Sequence, residues 1–321
     1  MNQTAIRLTQ ISTIPPCLGV LAASIWLAAS VANSQPAVAP PAAEPDTAEA
    51  EKLGSEWVRV KKDDKGTPLA MQTAIIRYRS TPEAGKPAVV VDLVGAVHVG
   101  DAAYYEVLNK RFEQYDALLY ELVAPEGTRI EPGTKASSRH ALGAMQNGMK
   151  SMLELEHQLE KVDYTKENFV HADMSPDEFF ESMKAKEESF LKMYFRLMGQ
   201  SIAHQQAMNA EGATPDIDLM QALFAKDRPR RLKIAMAGQL AEMESLLTAF
   251  GGEEGSTLIT ERNKAALEVL REQIDAGKTK LGVFYGAGHL DDMGKRLEKD
   301  FGLKPVELTW LDAWDLRAKS K

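Results

Sequence analysis

Two stretches of the chain share one order of apolar and polar positions. In the first, the apolar run 89–94 (VVVDLV) leads into Gly95, Ala96, Val97 and His98; an amphipathic segment follows, and a second apolar run, 117–120 (ALLY), ends at Glu121. In the second, 281–285 (LGVFY) leads into Gly286, Ala287, Gly288 and His289, then Asp291, Asp292 and a short helical pattern, then the run 306–311 (VELTWL). Apolar runs bounded by turn residues predict buried strands, and the helical spacing between them predicts a helix. Each stretch therefore reads strand, G-x-x-H turn, helix, strand. Between them, from about 139 to 250, the pattern is helical and rich in methionine, which predicts a helical cap inserted between two halves of a sheet. The expected fold class is α/β: a mostly β-sheet core from two half-repeats with a large helical insertion, occupying residues 53–321 as one domain.

Smaller signals fill in the elements. Segments 57–60 and 71–78 read as two strands at one edge of the sheet, joined through a turn carrying Asp63, Asp64 and Gly66. Asp101 is expected to cap the helix that buries Tyr105, Leu108 and Phe112, and Thr260 the helix that buries Leu267 and Leu270 and ends at Gly277. Ser175, Pro176 and Glu178 form a strong helix start, followed by the apolar rows of Phe179, Phe180, Met183, Phe190, Met193 and Phe195. Asp92, inside an apolar strand, must be paired or hydrogen-bonded if buried. It is expected either to support the site or to sit at a sheet edge.

Composition changes the picture at the N-terminus. Residues 1–17 are polar, 18–32 (LGVLAASIWLAASVA) are apolar and end in small residues, and 33–52 are rich in Pro, Ala and acidic residues. This order resembles a signal peptide over 1–32 and a flexible linker over 33–52, so a periplasmic or extracellular protein is expected, or one tethered by an uncleaved segment. Fifteen apolar residues are short for a bilayer span, and a chain cleaved after Ala32 has no transmembrane span and no cysteine, because Cys17 is the only one. With 46 acidic against 38 basic residues, nothing suggests a nucleic-acid partner. The basic residues Lys226, Arg228, Arg230, Arg231 and Lys233 read as a solvated helix junction.

Candidate chemistry follows from the strand ends. In an open α/β sheet the carboxyl ends of the strands line a crevice, so His98, His289 and Glu121 are expected to face one another. With 22 Gly and 6 His, chance gives roughly 0.4 copies of G-x-x-H; two copies in matching contexts are informative. Two neutral imidazoles and a carboxylate can hold a divalent metal with open positions, with Mn, Co or Zn the expected ions. Glu126, on the loop leaving Glu121, is a second carboxylate candidate. His140, His157, His171 and His204 lack paired ligand spacing.

The two G-x-x-H motifs, Glu121 closing the intervening strand, and Arg262 with Asn263 opening a late helix resemble the TraB/PrgY/GumN family, which includes the Tiki metalloproteases. The resemblance runs from about residue 89 to 314. It implies a metal-dependent, peptidase-like hydrolase acting on a peptide or small acyl substrate, with Arg262 and Asn263 near the crevice contacting substrate or orienting Glu121. On that reading His98, His289 and Glu121 bind the metal that activates water. Glu121 is either a ligand or the general base, and Glu126 is the other candidate base. The proteins of the erythromycin-esterase and ChaN types are similar in fold, so a metal-independent esterase stays open, with one histidine as base and Glu121 orienting it. So do a haem-, lipid- or peptide-binding protein built on the methionine-rich cap and a non-haem iron oxygenase, against which the resemblance argues.

Overall fold

The computed structural model describes residues 56–81, 87–125, 127, 128, 130, 153–188, 222, 224–250 and 256–318. The expected signal peptide and linker, Glu126, His140, His204, Phe190, Met193 and Phe195 lie outside them. The described chain begins with a hairpin, β1 (Val58–Lys62) and β2 (Pro68–Ser80), whose turn is closed by Asp63 Oδ1 accepting the N–H groups of Lys65 and Thr67. The first G-x-x-H unit gives β3 (Val90–Ala96), the short β4 (Val99–Gly100), α1 (Ala102–Phe112) and β5 (Ala117–Tyr120). The middle contributes β6 (Glu156–His157), α2 (Gln158–Lys161), β7 (Phe169–His171), α3 (Pro176–Ala185) and α4 (Arg228–Phe250). The last part gives α5 (Arg262–Asp275), β8 (Lys280–Gly286), α6 (Ala287–Phe301) and β9 (Leu303–Asp315). Among the described residues no helix is long and apolar enough to cross a membrane.

One mixed seven-stranded sheet organises the fold. Its first half is antiparallel: β9 runs along one edge of β2, and the opposite edge is divided between β1 and β3. Its second half, in the order β3, β8, β5, β7, is parallel throughout. The parallel strands read as continuous apolar runs because both faces are covered: Leu93, Val283 and Leu119 are all fully buried. Helix α6 packs on β3 and β8, α5 on β5, and the Phe112 ring of α1 lies 4.8 Å from Phe284.

Several expectations are corrected. The segment 57–60 and 71–78 does not simply extend an edge, since β2 is paired on both sides. The region expected to be a helical insert supplies β6 and β7, and β7 lengthens the parallel block beside β5; three residues are too few for a periodic signal. The two G-x-x-H units also continue differently. His98 precedes β4 and the helix starts only at Ala102, whereas α6 starts at Ala287 and carries His289 in its first turn. β5 then returns parallel to β8, but β9 crosses to β2.

Caps differ in the same way. Ser175 forms the expected capping box with Glu178, and Phe179 and Met183 are buried behind it. Asp101 occupies the N-cap position of α1 without a side-chain cap bond; its carboxylate instead accepts Lys233 Nζ of α4 at 2.7 Å and the Asp315 N–H at the end of β9. Arg231 pairs with Asp227 and Arg230 with the Leu316 carbonyl, so the basic cluster pins α4 to the sheet. At 260 the cap is Ser256, which opens a π-helical turn (Thr257–Glu261), and Thr260 accepts the Ser256 N–H, so α5 begins at Arg262. Trp314 is buried on β9 and donates its Nε1–H to the Val99 carbonyl.

Candidate functional site

The four parallel strands end side by side, and each is followed by a residue able to do chemistry. His98 lies just after β3, Gly286 and His289 at the end of β8, Glu121 after β5, and Asp173 two residues after β7. Arg262 and Asn263, in the first turn of α5, close over this row. Both are buried.

Glu121 is held at both oxygens. Oε1 accepts Arg262 Nη2 at 2.7 Å, and Oε2 accepts the backbone N–H of Gly286 at 2.7 Å. A Cβ at Gly286 would lie 3.2 Å from Oε2, and one at Gly95 would lie 3.1 Å from the Ala74 carbonyl of β2. Both glycines therefore serve close approach, and neither is among the positive-φ glycines. Burial raises the Glu121 pKa, but Arg262, His289, His98 and the Gly286 N–H outweigh it and hold the carboxyl well below its usual range. The side chain keeps 21% of its surface open to solvent.

Arg262 is shared between two carboxylates. Its Nε and Nη2 form a fork on Asp173, 2.9 and 2.6 Å from Oδ1 and Oδ2, and Asp173 is fully covered. Burial disfavours the guanidinium charge, and Glu121 and Asp173 outweigh that, so the charge is locked in. Its Nη1 lies 3.3 Å from His289 Nε2.

The tautomer of His289 follows from its neighbour. Asn263 Nδ2 donates to the His289 carbonyl and to Asp292 Oδ2, so Asn263 Oδ1 is the atom 2.6 Å from His289 Nδ1 and must accept its proton. Nε2 then carries the lone pair. Burial, with Arg262, lowers the His289 pKa to about 4 against the pull of Glu121, Asp173 and Asp292, so the ring is neutral at pH 7. The edge of Tyr285 packs on it at 5.3 Å, and the Tyr285 hydroxyl donates to the Ala172 carbonyl.

His98 differs: it is exposed, and its carbonyl accepts the Gln158 N–H at 2.9 Å. Thus Glu121, Arg262, Asn263 and His289 form one hydrogen-bonded cluster, and His98 follows β3, the strand beside β8. Arg262 and Asn263 orient the two partners, and nearly every Arg262 N–H is already engaged within the cluster. His171 is tied to the Leu122 carbonyl at 2.6 Å, and His157 is buried beside β4.

The two-histidine, one-glutamate metal set does not fit this arrangement. Among the described residues no group of three His, Cys, Asp or Glu side chains is placed to hold an ion. The two atoms a metal would take, Glu121 Oε1 and His289 Nε2, are 3.7 Å apart and both face the same guanidinium.

Asp173 and Asp292 carry weight that the sequence reading did not give them. Asp173 stands next to the capping box at Ser175, where an aspartate looks like part of the turn; only the three-residue β7 before it brings it to the strand ends. Asp292 was visible beside Asp291 but not as the partner of Asn263. No family model matches the chain, and no curated protein or solved structure is similar enough to it to match.

Proposed function

We propose that the chain is an exported hydrolase of peptide or related acyl bonds, working in the crevice where β3, β8, β5 and β7 end. The observation that carries this reading is the ionised, partly open Glu121 carboxylate held in one cluster with a buried neutral imidazole, His289, while an exposed imidazole, His98, follows another strand of the same parallel block. An exposed imidazole beside a carboxylate is suited to general-base work. His98 takes a proton from water as the water attacks the carbonyl carbon, and returns it to the leaving group. Glu121 balances the imidazolium while it exists, as a buried carboxylate does for a catalytic histidine. Arg262, His289 and the Gly286 N–H keep Glu121 ionised and fixed, and Asn263 fixes His289. The amino end of α6 meets Glu121 through Gly286 and adds the positive end of its dipole.

The resemblance to the TraB/PrgY/GumN family supports hydrolysis through the same positions, and the two strand, G-x-x-H, helix units are inferred to be the frame of the site. The apolar run 18–32 supports export. Of the routes weighed from the sequence, water activated by an imidazole agrees best with an arginine already placed between Glu121 and His289.

The test is turnover by the full chain, exhaustively chelated, against a p-nitrophenyl ester and a mixed peptide library. Turnover is expected to survive chelation and to fall roughly 10²- to 10⁴-fold in His98→Ala, the usual scale for a general base, and to fall also in Glu121→Gln. Turnover indifferent to both substitutions, or none at all, removes the reading. Turnover lost on chelation and restored by Mn, Co or Zn puts a metal-activated route in its place.

A further inference from the structure

Strand β3 ends at Ala96, and the peptides that follow lie beyond the ladder of the seven-stranded sheet. Each of the next three carbonyls still has its own donor, and each donor comes from a different element. The Tyr105 hydroxyl of α1 donates to the Val97 carbonyl at 3.0 Å, the Gln158 N–H at the start of α2 to that of His98 at 2.9 Å, and Trp314 Nε1–H of β9 to that of Val99 at 2.7 Å. Beyond them the Asp101 N–H is held by the Ala313 carbonyl of β9 at 2.9 Å, and Val99 pairs with His157 across β4 and β6. Tyr105 and Trp314 are buried, whereas His98 is exposed. A side chain that reaches solvent thus stands on backbone gripped by three elements. His289 is held the other way, by a bond from Asn263 to its ring.

We infer that Tyr105 and Gln158 are positioning residues for His98: by fixing the carbonyls at 97 and 98 they set the direction in which its imidazole leaves the strand end. With the backbone fixed, only the two side-chain torsions remain, and these fall into a few staggered or broad wells. Such restriction matters to a reacting group, because a misplacement of about 1 Å can cost on the order of 10²-fold in rate. The inference rests on the reading of His98 as general base for its effect on turnover, but not for its effect on the backbone. Tyr104 supplies a matched contrast. Its hydroxyl, equally buried, donates to the Gly95 carbonyl at 2.9 Å, but Gly95 lies inside β3, where β8 holds the strand in register.

The test uses the full chain as wild type, Tyr105→Phe, Tyr104→Phe, Gln158→Ala and Gln158→Pro. Proline suits position 158, the first residue of α2 after an extended His157, and removes the N–H that alanine keeps. Nitrogen-15 relaxation of the His98 amide, assigned by His98→Gln, reports its motion, and kcat and KM are measured beside it on the p-nitrophenyl ester. An order parameter of about 0.85 is expected in wild type, Tyr104→Phe and Gln158→Ala, with a fall toward 0.6 in Tyr105→Phe and Gln158→Pro. The two loosened variants are expected to lose roughly 10- to 100-fold in kcat at little-changed KM. An unchanged His98 amide in either of them overturns the inference, as does a fall in order with kcat unchanged. So does an equal loosening in Tyr104→Phe, which would make the hydroxyls general supports of the fold. Should Tyr105→Phe not fold, Gln158→Pro against Gln158→Ala decides. A wild type without turnover removes the general-base reading, and the relaxation comparison then upholds or overturns the positioning alone.

Discussion

Two arginines, one in the sheet and one at the start of a helix, each grip an aspartate in the same fork, and they do different work. Arg77 of β2 holds Asp92 of the neighbouring β3 at 2.8 and 3.0 Å; Arg262 of α5 holds Asp173 after β7 at 2.9 and 2.6 Å. What differs is where the remaining N–H groups go. Arg77 turns its Nη1 to the partly exposed Glu307 of β9, and Asp92 is completed by the Tyr115 hydroxyl at 2.8 Å, so that network ends in groups that only tie strands together. Arg262 turns its remaining N–H groups to Glu121 and His289, which stand at the strand ends. A forked pair is thus a way to bury a charge, and its use depends on the third partner. Position agrees: Asp92 lies in the amino-terminal half of β3, and Asp173 at the carboxyl-terminal edge where crevices form.

The comparison is broken most forcefully at Arg77. Arg77→Met leaves Asp92, 1% exposed, with only the Tyr115 hydroxyl and the more distant Arg111, whose Nε is 4.0 Å away, and is expected to lower unfolding free energy by about 3–4 kcal/mol. Urea denaturation should show a lower midpoint at unchanged slope, while the folded fraction keeps its turnover. A loss of turnover in the folded protein would mean that the two networks are not separate in role.

A smaller effect comes from pH. His289 has a folded pKa of about 4 against an ordinary 6.5, so between these values the unfolded chain takes up a proton that the folded chain does not. Stability should therefore rise with pH from about 4 to 6.5 and be flat above, with this group contributing on the order of 3 kcal/mol. Glu121 acts in the same direction but in stronger acid, because its carboxyl is depressed below the ordinary carboxylate range. Denaturation midpoints at pH 4.5 and 7 should differ in wild type, and the difference should shrink in His289→Gln. An unchanged difference in that variant would place the titration elsewhere.

How far the sequence reached follows from the kind of signal each part emits. Three of the four parallel strands, β3, β8 and β5, were legible because they are buried, leaving apolar runs such as VVVDLV and LGVFY; the capping box at Ser175 was legible because it depends on residues three apart. Asp92 was correctly marked as needing a partner, but Arg77 is a neighbour only through strand register, which no local pattern states. At the site, His98, Glu121 and His289 were found as strand-end residues, and Arg262 and Asn263 through the family resemblance. Asp173 was not found, since a three-residue strand inside an apparently helical region gives no period to read. Nor does a sequence show that Arg262 points inward between the expected ligands rather than outward to substrate; that depends on the π-helical turn setting the start of α5.

The central claim is that a neutral His289, protonated at Nδ1, presents its lone pair to the Arg262 guanidinium. Nitrogen-15 NMR of histidine-labelled wild type at pH 7, assigned by His289→Gln, tests it most directly. The account predicts a neutral ring whose Nδ1 carries the proton and whose Nε2 signal does not move when Mn, Co or Zn is removed or, for diamagnetic Zn, added. A doubly protonated ring, the opposite tautomer, or an Nε2 signal that shifts to a metal-bound position with Zn would contradict it.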